Sequence, residues 1–242
     1  MQLTEQYRPR TWDDVAGQDE VLATISALRK RGLGGRAYVL TGKSGTGKTT
    51  IARLIAADVA GPLATHEENA KDVTISYIRE MEEDMRSRVL ASDERGKTGR
   101  AWIFNEIHAF SDAVVTRLLT TLEKLPSHVV IVFTTTAKAQ KSLFAEFEDA
   151  QPFLQRCKRL ALSQQALSRP FAERLQDICR QEGLGNPTLE QPAKIIGRSS
   201  RYATIEPLDV DVDPIRCCWD IVQDVLANGD GAFVRADDDT DD

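Results

Sequence analysis

The segment Gly42-Lys43-Ser44-Gly45-Thr46-Gly47-Lys48-Thr49 constrains this chain more than any other. It satisfies G-x-x-x-x-G-K-[ST] at every fixed position. It follows an apolar run, Ala37-Tyr38-Val39-Leu40-Thr41, and opens an amphipathic stretch from Thr49 to Ala60 that stops at Gly61-Pro62. A buried strand, a glycine-rich turn and a helix are the context the motif requires. The glycines let the backbone curl so that successive N–H groups point inward at phosphate oxygens. The helix N-terminus adds partial positive charge. Lys48 is predicted to reach the β- and γ-phosphates of a nucleoside triphosphate, and the Thr49 hydroxyl to ligate Mg²⁺.

Hydrophobic periodicity predicts further strands at Val73 to Ile75, Ala101 to Phe104, Val129 to Phe133 and Lys158 to Leu162. Helices are predicted over Tyr77 to Leu90 and over Asp112 to Lys124, the latter with Ser111 as N-cap. After about Ser163 the pattern is helical only: Gln164 to Gln181, Leu189 to Arg198, and Pro214 to Leu226 with Asp213 as N-cap. Strands alternating with helices argue for a parallel sheet covered on both faces. The expected fold is therefore α/β: a five-stranded parallel sheet with helices on both faces over residues 1–163, then a small all-helical domain over 164–228. Residues 229–242 are expected to form an acidic, disordered tail.

Composition sets the outer bounds. With 242 residues, 41% hydrophobic and 28% charged, the chain can bury a core and is neither collagen-like nor mucin-like. No apolar run approaches a bilayer span and the N-terminus shows no secretory signal pattern, so a cytoplasmic protein without membrane contact is expected. Cys157, Cys179, Cys217 and Cys218 contain no Cys-x-x-Cys pair, which suits reduced thiols rather than a disulfide framework or a zinc site. The net charge of −6 is unevenly spread: residues 206–242 carry twelve acidic and two basic side chains, leaving the body net positive.

A nucleotide-hydrolysing enzyme built on this loop needs a second strand ending in acid. Ala101-Trp102-Ile103-Phe104-Asn105-Glu106 is the candidate. Glu106 is the expected general base. Asn105 occupies the metal-ordering position with a neutral carbonyl oxygen, so weaker Mg²⁺ organisation and slower hydrolysis are expected, with nucleotide binding retained.

Taken in series, several segments resemble the clamp-loader branch of the AAA+ ATPases, which includes replication factor C small subunits and the bacterial tau/gamma subunit. The opening Leu3 to Gln18 (LTEQYRPRTWDDVAGQ) resembles their N-terminal box. Asn105-Glu106-Ile107-His108 resembles their acid-Glu-x-His stretch, Ser76 to Met81 their Ile-Arg helix, and Leu118 to Val129 their leucine-rich helix and its exit. The resemblance covers about residues 3–205. It implies ATP and Mg²⁺ as ligands, with Gly42, Lys43, Ser44, Gly45, Thr46, Gly47, Lys48, Thr49 and Thr50 around the phosphates. It places Tyr7, Arg8, Pro9, Val15 and Gly17 beside the adenine. Thr49 and Asn105 stand at the metal, Glu106 and Lys48 at the chemistry, and Thr136 at the polar position that contacts the γ-phosphate or water.

The same resemblance makes Arg156, in Gln155-Arg156-Cys157, an arginine finger that completes a neighbouring subunit's site, and Arg201 the lid arginine that bridges nucleotide and helical domain. It further implies a sliding clamp, other clamp-loader subunits and the primer-template DNA backbone as partners. Arg79, Arg86, Arg88, Lys97 and Arg100 are the candidate phosphate contacts. The zinc-binding insertion of tau/gamma is absent. No room follows the lid for the family's collar domain, so ring assembly is expected to need a collar-bearing partner. Two other readings stay open: an ATP-binding structural subunit with little or no hydrolysis, and another DNA-remodelling ATPase such as a branch-migration helicase.

Overall fold

The computed structural model describes residues 6–89, 96–136, 150–163 and 168–181. Five parallel strands form one sheet: β1 (Arg36–Thr41), β2 (Ala60–Asn69), β3 (Gly99–Asn105), β4 (Val129–Thr135) and β5 (Cys157–Ala161). Their spatial order is β2-β3-β4-β1-β5. The described helices are α1 (Asp19–Arg29), α2 (Lys48–Val59), α3 (Ile75–Asp84), α4 (Asp112–Glu123), α5 (Ala150–Gln155) and α6 (Ser168–Gln181).

Strand side chains alternate between faces, and that alternation divides the core. Ala37 and Val39, Trp102 and Phe104, and Val129, Ile131 and Phe133 join Ile78 and Met81 of α3, Val114, Val115, Leu118 and Leu122 of α4, and Phe153 and Leu154 of α5 in one buried cluster. Tyr38, Leu40, Ile103, Val130 and Val132 are equally buried but point the other way. There α2 crosses the sheet, burying Ile51, Leu54 and Ile55. Helices thus cover both faces, as the strand–helix alternation predicts.

The strands end level with one another because the register is regular: Thr41 pairs with Thr135 and Phe104 with Phe133. The Phe104 and Phe133 rings stack at 5.7 Å between centroids, with Phe110 and Phe153 edge-on to Phe133. Such contacts contribute about 0.5–1.5 kcal/mol each beyond burial. They fix the residues immediately after them, Asn105 and Thr134, side by side on the opposite face.

Several elements differ from expectation. The second strand is Ala60–Asn69, not Val73 to Ile75; Val73 ends a 3₁₀ turn and Thr74 caps α3, accepting from the Tyr77 N–H at 3.2 Å. The helix predicted over Tyr77 to Leu90 runs Ile75–Asp84 and gives way to a turn at Met85. Ser111 is the N-cap of α4, but its side chain makes no capping bond. Helices α1 and α5 were not predicted. The described residues divide into two compact units. One holds Asp19–Lys43 and Gly47–Ser163; the other holds the N-terminal segment through Gln18, Ser44–Thr46 and α6. The helices predicted over Leu189 to Arg198 and Pro214 to Leu226, and the tail, lie outside the described residues. Among the described residues no helix is long and apolar enough to cross a membrane.

Candidate functional site

The loop after β1 delivers its residues as the motif requires. Gly47 holds φ 93°, a left-handed conformation that favours glycine, and is the N-cap of α2 with no side chain over the helix's first N–H groups. Open space surrounds it: a Cβ there would have no neighbour within 4 Å. Lys48 is 8% exposed. A buried ammonium needs acceptors, and its Nζ donates to the carbonyls of Gly42 at 3.1 Å and Lys43 at 2.8 Å. Thr49 and Thr50 are half-buried in the first turn of α2. Bare helix amides, an ammonium curled over the loop and unfilled space fit a phosphate group. Among the described residues no group of three or more His, Cys, Asp or Glu forms a metal cage. Thr49 supplies a hydroxyl of the kind that, together with substrate phosphates and water, ordinarily holds Mg²⁺.

Beside the loop, the ends of β3 and β4 form a hydrogen-bonded chain. The Thr134 hydroxyl donates to Asn105 Oδ1 at 3.0 Å and accepts from the Glu106 N–H at 3.4 Å. Asn105 Nδ2 donates to Glu67 Oε1 at 2.9 Å. Glu67 in turn accepts from Arg53 Nε at 2.7 Å. Glu106 adopts a left-handed backbone, φ 58° and ψ 52°, which costs a non-glycine residue roughly 1–2 kcal/mol. Its Oε2 lies 3.3 Å from His108 Nδ1. Thr136 follows β4 by one residue, level with Gly42 through the Thr41–Thr135 pairing.

Arg156 stands elsewhere. Its guanidinium donates to Glu123 Oε1 at 2.5 Å and to the Pro152 carbonyl at 2.9 Å. It immediately precedes Cys157, which pairs with Ala37 at the start of β1. Arg156 is therefore at the edge of the sheet opposite the loop, about 20 Å from Gly42 along the strands at the usual rise per residue. In the other unit, Tyr7, Arg8, Pro9, Val15 and Gly17 are half-buried around the Trp12–Asp14 turn, and buried Gln18 donates to the Thr46 carbonyl at 3.3 Å. Arg201 lies outside the described residues. Of the candidate DNA contacts, Arg79, Arg86 and Arg88 are exposed. Lys97 donates to the Asp58 carbonyl at 2.5 Å and Arg100 to that of Ser87 at 3.2 Å, both tying backbone together. The resemblance marks the run Thr134-Thr135-Thr136 and favours Thr136 within it, whereas Thr134 is the member bonded to Asn105. Sequence reasoning missed Glu67, Arg53 and Glu123, which depend on cross-sheet or helix-to-strand geometry.

A parallel sheet with a phosphate-cradling loop at its carboxyl edge defines a P-loop nucleotide-binding protein. More narrowly, residues 38–159 match the ATPase family associated with various cellular activities (AAA), and the chain belongs to that family. It is 32% identical to DNA polymerase III subunit tau of Escherichia coli (strain K12) over 152 residues, 55% of this chain and 24% of that protein. It is 28% identical to the tau subunit of Bacillus subtilis (strain 168) over 149 residues, 54% of this chain and 26% of that one. The matched part thus spans about a quarter of these curated relatives. Among solved structures, the Thermotoga maritima RuvB Holliday junction branch migration motor superposes with a TM-score of 0.60 at 21% identity, covering 91% of this chain and 66% of that one. That likeness is one of fold.

Proposed function

We propose that this chain is a clamp-loader subunit that binds and hydrolyses ATP with Mg²⁺ and couples hydrolysis to loading a sliding clamp on primer-template DNA. Similarity to DNA polymerase III tau subunits together with the two-edged placement of its groups supports this reading. In it, Lys48 and the amides opening α2 hold the triphosphate. Mg²⁺, when bound beside Thr49 and Asn105, withdraws charge from phosphate oxygens. Glu106 takes the proton of the attacking water, with Thr136 orienting that water or the γ-phosphate. Tyr7, Arg8, Pro9, Val15 and Gly17 border the adenine, and Arg201 couples the helical domain of residues 164–228 to the nucleotide. Arg156 serves a neighbour's site, which its position on the far edge of the sheet favours over service in its own. The partners proposed are a sliding clamp, other clamp-loader subunits and the DNA backbone, all inside the cell.

A second reading, an ATP-holding structural subunit, draws on Asn105, whose carboxamide brings no charge of its own to the metal position. Equilibrium dialysis tests the binding: the parent retains ATP and Lys48→Ala does not. Steady-state turnover with and without primer-template DNA separates the two readings. Turnover that Glu106→Gln leaves unchanged removes the enzymatic one.

A further inference from the structure

The chain Arg53–Glu67–Asn105–Thr134 bears on how a neutral side chain serves where a carboxylate is ordinary. Glu67 pairs in register with Ile103, so its side chain shares a sheet face with Asn105 two residues on. Arg53 lies four residues after Thr49 on α2, on the same stripe of the helix. The network therefore adjoins the hydroxyl assigned to the metal. A carboxamide has one oxygen and one donor nitrogen of nearly equal shape. Turned one way it offers an acceptor to a cation's hydration shell; turned the other way it offers N–H groups that repel it. An ionised carboxylate accepts only, so Glu67 permits Nδ2 and excludes Oδ1 from its side.

Resting on the ATP–Mg²⁺ reading above, we propose that Glu67, anchored by Arg53, is the positioning residue that sets the Asn105 carboxamide, directing Oδ1 to Thr134 and the metal side. The pair Glu67/Asn105 reverses the hydrogen-bond polarity that an acid at position 105 would impose, and the two positions are functionally coupled. Arg53, a donor only, reaches both Glu67 oxygens, Nε to Oε2 at 2.7 Å and Nη2 to Oε1 at 3.3 Å; in Glu67→Gln the shorter of the two contacts claims the glutamine oxygen. The glutamine amide then faces Asn105 donor to donor and forces it to turn. Adding Asn105→Asp restores a donor–acceptor pair with its polarity exchanged.

The test is equilibrium dialysis of the full chain with ATP across a Mg²⁺ titration and in EDTA. The expected result is that Glu67→Gln raises the Mg²⁺ concentration for half-maximal ATP retention at least fivefold. Retention in EDTA stays unchanged, and Glu67→Gln/Asn105→Asp returns the midpoint to within twofold of the parent. A Glu67→Gln midpoint within twofold of the parent, or a double variant no better than Glu67→Gln, overturns the proposal. Urea unfolding of the parent, Glu67→Gln, Asn105→Asp and the double variant supplies an independent readout: the 67/105 cycle should show at least a fivefold coupling in the unfolding equilibrium constant, and none refutes the pairing. A parent that retains no ATP in Mg²⁺ or EDTA overturns the nucleotide reading instead, and the unfolding cycle still decides whether the two side chains are bonded.

Discussion

Gly47→Ala separates a backbone effect from a ligand effect because the structure contains its own matched control. Gly47 has φ 93° and Gly32 has φ 82°, and at neither would a new Cβ meet an atom within 4 Å. The cost of alanine in the free protein is therefore conformational strain alone, about 1–2 kcal/mol at either site. For a chain of this size about 1 kcal/mol shifts the melting temperature by roughly 2–4 °C, so each variant should melt about 2–8 °C below the parent. With ATP–Mg²⁺ at about 100 times its dissociation constant, linkage stabilises the parent by about 2.7 kcal/mol, an upward shift of roughly 5–11 °C. Gly32 stands in the turn before β1, so Gly32→Ala should keep that shift in full. The open space at Gly47 is the expected phosphate seat, so Gly47→Ala should lose it. Differential scanning fluorimetry with and without nucleotide reads both quantities. A Gly47→Ala protein that ATP–Mg²⁺ stabilises as strongly as the parent would refute the assignment of that space.

Other outcomes follow from the same geometry. Arg156→Ala should leave ATP retention by the isolated chain unchanged, because the guanidinium is at the far edge of the sheet; dialysis showing lost retention would contradict that placement. Burial pushes Glu82 up, but hydrogen bonds from Arg117 and from Thr121 at 2.6 Å outweigh it and hold the carboxyl below its ordinary 4.5. A folded value below the unfolded one means stability present above pH 4.5 and lost as pH falls through the folded value. Glu82→Gln should thus destabilise by about 0.5–1 kcal/mol at pH 7 and converge on the parent once pH has fallen through the folded value in urea melts. Burial pushes the Cys157 thiol up to about 12. Alkylation of Cys157 at pH 8, followed by mass spectrometry, should run on the order of a thousandfold slower in the folded chain than in urea; equal rates would place it at the surface.

What the sequence revealed was local. The β1–loop–α2 unit was legible because strand, turn and helix are contiguous and each position of the motif answers to the same phosphate. β3 and β4 were legible as uninterrupted apolar runs, since a parallel strand is buried on both faces. β2 was not, because it is an edge strand: Gly61-Pro62 reads as punctuation, and His66, Glu67, Glu68 and Asn69 read as solvent-facing. Only its pairing with β3 makes it a strand. α1 escaped because it buries just Val21 and Ile25, and α5 because six residues containing Pro152 carry no clear period. At the site, Lys48, Thr49, Asn105 and Glu106 could be named from motifs. The role of Glu67 could not, since it depends on Arg53 fourteen residues earlier and Asn105 thirty-eight residues later.

The strand order also governs what happens during synthesis. β1 sits between β4 and β5, and Arg36 finds its partner in Val130, 94 positions downstream. Until the ribosome has released that segment, the nascent chain carries Ala37-Tyr38-Val39-Leu40 without lateral pairing, followed by a loop that has nothing to grip. Such a species is an aggregation hazard and a natural client for chaperones.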